Sequence, residues 1–152
     1  MNSRITAQSI TGFCLILLLA GAHAAVKPLV DGASRGDTHE VRKLLRDGAD
    51  VNEAQGDGMT ALHWAAETGN AELADMLIYA GSHVDAGTRI GQYTPLHIAS
   101  RRGHTDIVQA LIAAGANVEA ATTNSAATPI HLAAASGKDS AVAALIKGGA
   151  NV

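Results

Sequence analysis

The chain has 152 residues, a formal charge of −3, 16% charged residues and 3% aromatics. That length suits one domain. The mild acidity and the lack of a broad basic field exclude a nucleic-acid partner and single out no other class of ligand.

Residues 1–24 differ from the rest. Arg4 supplies a short positive start, Phe13 to Ala20 (FCLILLLA) an apolar run, and Ala22-His23-Ala24 a small-x-small end. This pattern predicts a secretory signal peptide cut after Ala24. The alternatives are a retained membrane anchor and a buried N-terminal helix. The run is short for crossing a bilayer, which favours cleavage. Cys14 has no lipobox-like small pair before it, which argues against a lipoprotein. Cleavage would remove Arg4 and no acidic residue, shifting the charge from −3 to −4. It would also remove Cys14, the one cysteine, and with it any disulfide or thiolate metal site. The expected location is therefore outside the cytoplasm, in a bacterial periplasm or secreted, with no membrane contact after cleavage.

From residue 25 onward a period takes over. Thr60-Ala61-Leu62-His63, Thr94-Pro95-Leu96-His97 and Thr128-Pro129-Ile130-His131 stand 34 residues apart. Gly69, Gly103 and Gly137 keep that spacing, as do Gly81, Gly115 and Gly149. A fixed period of this length means stacked supersecondary units. Four units are expected, at about 26–53, 57–86, 91–120 and 125–152.

The first unit lacks the Thr-x-x-His box, and Val26-Lys27-Pro28-Leu29 is expected to start its first helix. Asp37 with Glu40 predicts a capping box for its second helix, and Val41, Leu44 and Leu45 an apolar stripe. Arg42, Lys43, Arg46 and Asp47 suit a water-facing outer side. In the second unit, Leu62, Ala65, Ala66, Leu73, Met76, Leu77 and Ile78 are the predicted core. Trp64 has two readings, packing along its helix or contacting a ligand.

The third unit shows the pattern most fully. Thr94 is the predicted N-cap, accepting from Leu96 or His97 N–H. Pro95 occupies the first helical position, where its missing N–H costs nothing. Gly103 stops that helix in the left-handed conformation. Ile107, Val108, Leu111 and Ile112 then form the stripe of a second helix ending at Gly115. The third and fourth units each carry one extra residue before the threonine, in Gly91-Gln92-Tyr93 and in Thr123-Asn124-Ser125-Ala126-Ala127. An ideal hairpin finger is not expected at those two junctions. Val142, Leu145 and Ile146, flanked by alanines, complete the fourth unit. Either those alanines suffice to face water, or the array continues as part of a larger protein.

The TPLH box, the Gly-His nine residues after its threonine, and the VxxLIxxGAN segment recur together and resemble the ankyrin repeat. The resemblance covers nearly everything after residue 25. It implies an all-α repeat solenoid of stacked helix-turn-helix units joined by short hairpin-like loops. The first unit then resembles an N-terminal capping repeat. It further implies that His63, His97 and His131 hydrogen-bond their own threonine and a neighbour's backbone.

Chemistry is hard to place on this chain. The three periodic histidines would stack roughly 10 Å apart, as packed helices do, whereas Zn–N bonds are about 2 Å. His39, His83 and His104 are scattered at loops or helix starts. Ser100 and Ser136 lack the GxSxG context of an activated nucleophile. Asp75 and Asp106 belong on outer helices, in water, and Gly56-Asp57-Gly58 sits in a turn rather than a phosphate loop. No enzyme, metal or cofactor is therefore expected.

Binding remains. A stacked solenoid presents a concave surface of loop tips and first-helix faces, and the resemblance implies that it grips another protein. Carried over by position, that face comprises Met59, Glu67 and Thr68; Gln92, Tyr93, Arg101 and Arg102; and Asn124, Ser125, Ala135 and Ser136. Tyrosine and arginine are frequent binding hot spots, so Tyr93, Arg101 and Arg102 are the candidate anchors. Arg101 and Arg102 equally fit a solvated helix end, where positive charge offsets the dipole. A monomer is expected, binding an unidentified protein. The alternatives are an accessory or inhibitory subunit of a periplasmic enzyme, and a fragment of a larger ankyrin-repeat protein.

Overall fold

The computed structural model of the protein describes residues 28–152. The expected signal peptide, Cys14 and His23 lie outside the described residues. Within them the chain forms eight helices in four pairs: α1 Leu29–Ser34 with α2 Thr38–Arg46, α3 Ala61–Thr68 with α4 Ala71–Tyr79, α5 Pro95–Arg102 with α6 Thr105–Ala113, and α7 Pro129–Ala135 with α8 Asp139–Lys147. The first helices of successive pairs stack on one another as an inner row, and the second helices as an outer row.

Each inner helix from the second pair on starts the same way. Thr60, Thr94 and Thr128 are extended N-caps, and each closes a reciprocal capping box with the histidine three residues on. For Thr94 the hydroxyl accepts the His97 N–H at 3.4 Å. α3 and α5 end on left-handed glycines, Gly69 at φ 75° and Gly103 at φ 80°. Only glycine takes this conformation without strain, and the two-residue link then folds the outer helix back.

The first pair, which has no box, is capped from elsewhere. α1 begins at Leu29, the last residue of the expected Val26-Lys27-Pro28-Leu29 start, with Pro28 as its N-cap. Its Leu29 N–H donates to the Glu53 carboxylate, 3.1 Å away and 24 residues on. At α2 only half of the expected capping box closes: Asp37 Oδ1 accepts the Glu40 N–H at 2.9 Å. Arg42 stays exposed but reaches Glu72 of α4 at 2.8 Å.

Leu29, Leu62, Leu73, Leu77, Leu96, Ile107, Leu111 and Leu145 form the largest fully buried side chains of one continuous core. Each such burial contributes about 1.5–3 kcal/mol. Ala61, Ala65, Ala66 and Ala99 have no exposed surface and let the inner helices approach closely. Leu45, Met76, Ile78 and Ile112, expected in the core, are half-buried at its edge. They belong to outer helices, which have a neighbouring layer on one side only.

The loops separate into two kinds. In the shorter first loop Ala54 and Thr60 form an antiparallel bridge, and Gln55 N–H donates to Met59 O at 2.9 Å. The longer loops keep one backbone bond, Thr88 N–H to Tyr93 O and Thr122 N–H to Ala127 O, both 3.0 Å. The return bond goes to a side chain instead: Tyr93 N–H donates to Thr88 Oγ1 at 3.1 Å, and Ala127 N–H to Thr122 Oγ1 at 3.0 Å. The extra residue is absorbed by Gln92 and Ala126, both at φ 53°, a conformation that strains any residue but glycine.

Candidate protein-binding face

The periodic histidines hold the loops against the inner helices. Thr60 N–H donates to His63 Nδ1 at 3.1 Å, and the Thr60 hydroxyl lies 2.8 Å from the same nitrogen. Nδ1 is therefore the acceptor, and the ring proton sits on Nε2. That proton is donated to Tyr93 O in the next repeat at 3.0 Å. His97 repeats the arrangement with Thr94 and with Ala127 O at 3.2 Å. Both rings are completely buried. Burial lowers their pKa below the ordinary histidine value, against the raising effect of the carbonyls they bond. They stay neutral and serve as structural staples.

The loops are also stitched to one another. Arg89 N–H donates to Asp57 O at 2.8 Å and Thr123 N–H to Gly91 O at 3.0 Å. Asn52, Asp85 and Glu119 side chains accept from His83, Asn117 and Asn151 N–H at 2.7–2.8 Å. The result is a row of loop tips in fixed register beside the inner helices.

The predicted contact residues fall into two groups on this frame. Met59, Gln92, Tyr93, Asn124 and Ser125 belong to the loops. Tyr93 is half-buried, its ring edge-on to His97 with centroids 5.9 Å apart, and its hydroxyl accepts from Asn124 Nδ2 at 3.4 Å. Ser125 Oγ lies 3.0 Å from Thr122 Oγ1. Gln92 is exposed on its left-handed backbone, and Met59 is half-buried.

Glu67, Thr68, Arg101, Arg102, Ala135 and Ser136 sit at the C-terminal ends of the inner helices or just past them. Thr68 Oγ1 bonds back to Trp64 O at 2.9 Å, while Ala135 and Ser136 are exposed. The carboxylate of Glu67 pairs with Arg102 and also lies 3.8 Å from Arg101. With Arg101 and Arg102 side chains 46% and 50% exposed, these pairs are solvent-screened and contribute little to stability. One carboxylate facing two guanidiniums still leaves one positive charge unmatched.

Two features were not read from the sequence: the exposed Ile90, and the column that Trp64, already singled out, shares with Ile98 and Leu132. Ile90 is 83% exposed at a loop tip between Arg89 and Gly91. An apolar residue inside a turn was the available signal. Trp64, Ile98 and Leu132 occupy the fourth position of their helices, and Trp64 Nε1 donates to Gln55 in the adjacent loop at 3.3 Å. Trp64 and Leu132 are half-buried, whereas Ile98 is 4% exposed. Among the described residues no group of three or more His, Cys, Asp or Glu could hold a metal ion. Nor is any described helix long and apolar enough to cross a membrane.

Helix pairs stapled into a stack, with loop tips in register, define a repeat solenoid of the kind that presents a binding face. The chain belongs to the ankyrin repeat family: ankyrin-repeat models match residues 22–78 and 82–152. It is 42% identical over 60 residues to Palmitoyltransferase AKR1 of Yarrowia lipolytica, covering 39% of this chain and 8% of that protein. It is 35% identical over 65 residues to human Ankyrin repeat domain-containing protein 40, covering 42% of this chain and 18% of the relative. A third match, to human Protein phosphatase 1 regulatory subunit 12B, is 66% identical over 32 residues, 21% of this chain and 3% of that protein. The chain thus spans less than a fifth of the length of these curated relatives. Ankyrin repeats are protein–protein interaction modules, generally non-catalytic, and this fold is built for binding a partner protein.

Proposed function

We propose that this chain is an exported, non-catalytic module that grips a partner protein on the face formed by its loop tips and inner-helix ends. The observation that carries this is the cluster of half-buried Glu67 with exposed Arg101 and Arg102, which joins two repeats and keeps an unmatched positive charge. Trp64 stands one turn before Glu67 on the same helix, and Tyr93 lies at the loop end of the same face; both are half-buried and offer aromatic surface. An acidic side chain on the partner would meet the guanidiniums, and an apolar one would settle near Tyr93. Such charge-assisted and aromatic contacts dominate many interfaces.

The test is a crosslinking pull-down from periplasmic extract, with residues 25–152 as bait. One protein should be enriched by the wild type, and Arg101→Ala with Arg102→Ala should weaken its capture more than tenfold. Equal capture by both baits would remove the arginines as anchors.

An accessory-subunit reading draws on the regulatory subunit among the relatives. It requires the captured protein to be an enzyme whose turnover changes when the bait is added.

A further inference from the structure

Ile90 stands where a turn residue belongs. It is 83% exposed at the tip of the loop between α4 and α5, and it packs neither in the core nor at its edge. The next loop has the same length and the same backbone bond across its base, and it carries Asn124 at the corresponding tip position. Asparagine is an ordinary turn residue, whereas isoleucine favours strands. Ile90 therefore supplies nothing that the fold requires.

A lone exposed aliphatic residue needs no explanation by itself. This one is carried on a tip that is held from both sides. Within the loop, Thr88 Oγ1 donates to Ile90 O at 2.9 Å and accepts the Tyr93 N–H at 3.1 Å. On one flank Arg89 N–H donates to Asp57 O at 2.8 Å, and the backbone of Gly58 lies so near that a Cβ there would strike Arg89 N. On the other flank Thr123 N–H donates to Gly91 O at 3.0 Å. Gly91, at φ 83°, turns the chain over the Tyr93 ring, which an added Cβ would also strike. Isoleucine is stiff at its first side-chain torsion. A fixed tip with a stiff apolar side chain loses little freedom on binding.

We propose that Ile90 is the apolar anchor of the binding face, inserting into an aliphatic-lined socket on a partner protein whose rim presents a carboxylate to Arg89. This rests on the partner-binding reading above and adds the shape and chemistry of what is bound. A projecting side chain calls for a concave partner. An aliphatic one calls for a socket lined by apolar groups, since a polar group buried there without a hydrogen bond would cost affinity. Arg89 beside it is exposed, and its guanidinium makes no ion pair among the described residues. A charge next to the anchor meets its counterpart at the edge of the socket, where it steers encounter and fixes orientation.

The test uses the full 152-residue chain. The protein it captures from periplasmic extract is purified and titrated calorimetrically with the wild type and with variants. Ile90→Asn, which installs the residue of the next loop, should raise the Kd at least tenfold. It should also make the heat-capacity change of binding less negative and leave the urea midpoint unchanged. Ile90→Val removes one methylene and should raise the Kd about fourfold. Arg89→Gln should raise it about threefold at low ionic strength and leave it unchanged in high salt. Equal binding by wild type and Ile90→Asn, or a lowered urea midpoint in that variant, would overturn the anchor and leave the binding module standing. Flotation of the chain with phosphatidylglycerol vesicles, abolished by Ile90→Asn, would replace the socket by a lipid surface and overturn it too. A wild-type chain that captures no protein would overturn both the anchor and the reading it rests on.

Discussion

The third and fourth repeats carry almost the same box, Thr94-Pro95-Leu96-His97 and Thr128-Pro129-Ile130-His131, and build the same local structure from it. Their surroundings differ. His97 is sealed and bonded across to Ala127 O, while His131 is exposed and makes only its local bonds. The contrast separates two roles of one motif. The capping box starts a helix wherever it stands, whereas the staple exists only once another repeat has stacked on it.

The largest test of that contrast is a pair of histidine deletions. His97→Ala leaves the buried Thr94 N–H unpaired, strips the Ala127 carbonyl of one of its two bonds and opens a cavity, and should cost about 3–4 kcal/mol. His131→Ala should cost at most about 1 kcal/mol, because its groups can turn to water. Urea unfolding of the two variants would show the difference, and equal losses would refute the staple.

Acid sharpens the same comparison. Burial holds the pKa values of His63 and His97 below the ordinary value. The unfolded chain therefore takes up protons first. Their contribution to stability is complete above about pH 6.5 and declines as the pH falls below that, through the lowered folded values. His97→Ala should lose part of this acid sensitivity, and His131→Ala should retain it.

A smaller difference is expected at two glycines. Gly69 (φ 75°) lies beneath the His104 ring, which an added Cβ would strike, whereas Gly137 (φ 63°) has open space around it. Gly137→Ala should cost about 1–2 kcal/mol for backbone strain alone. Gly69→Ala should cost about 2–3 kcal/mol, because the imidazole must also move. Thermal unfolding would rank them, and a reversed order would mean that the ring above Gly69 yields freely.

The smallest effect has the opposite sign. Ser100 Oγ is buried without a hydrogen-bond partner, at a position filled by alanine in the second and fourth repeats. Ser100→Ala should stabilise the chain by about 1 kcal/mol, since a buried unpaired hydroxyl is costly. Ala134→Ser at the exposed counterpart should change little. Stability lost in Ser100→Ala would show that the hydroxyl has a partner after all.

Much of this protein was legible in the sequence, because much of it is local. Threonine caps, N1 prolines and left-handed glycines act within three or four residues of themselves, and their period announces the stack. The departure from hairpin geometry at the two longer loops could be read from their length. The substitute for that geometry could not, since Thr88 and Thr122 look like any loop threonine until their hydroxyls accept a returning N–H. The candidate face was legible as positions but not as electrostatics.

The sequence by itself determined the helix pairs, their starts and stops, and the family they belong to, all through short-range rules. Only the tertiary structure decided that Glu53 caps α1 and that Glu67 partners Arg101 and Arg102. Those contacts join residues 24 to 35 positions apart. Their existence depends on how one repeat lies against the next, which no local pattern encodes.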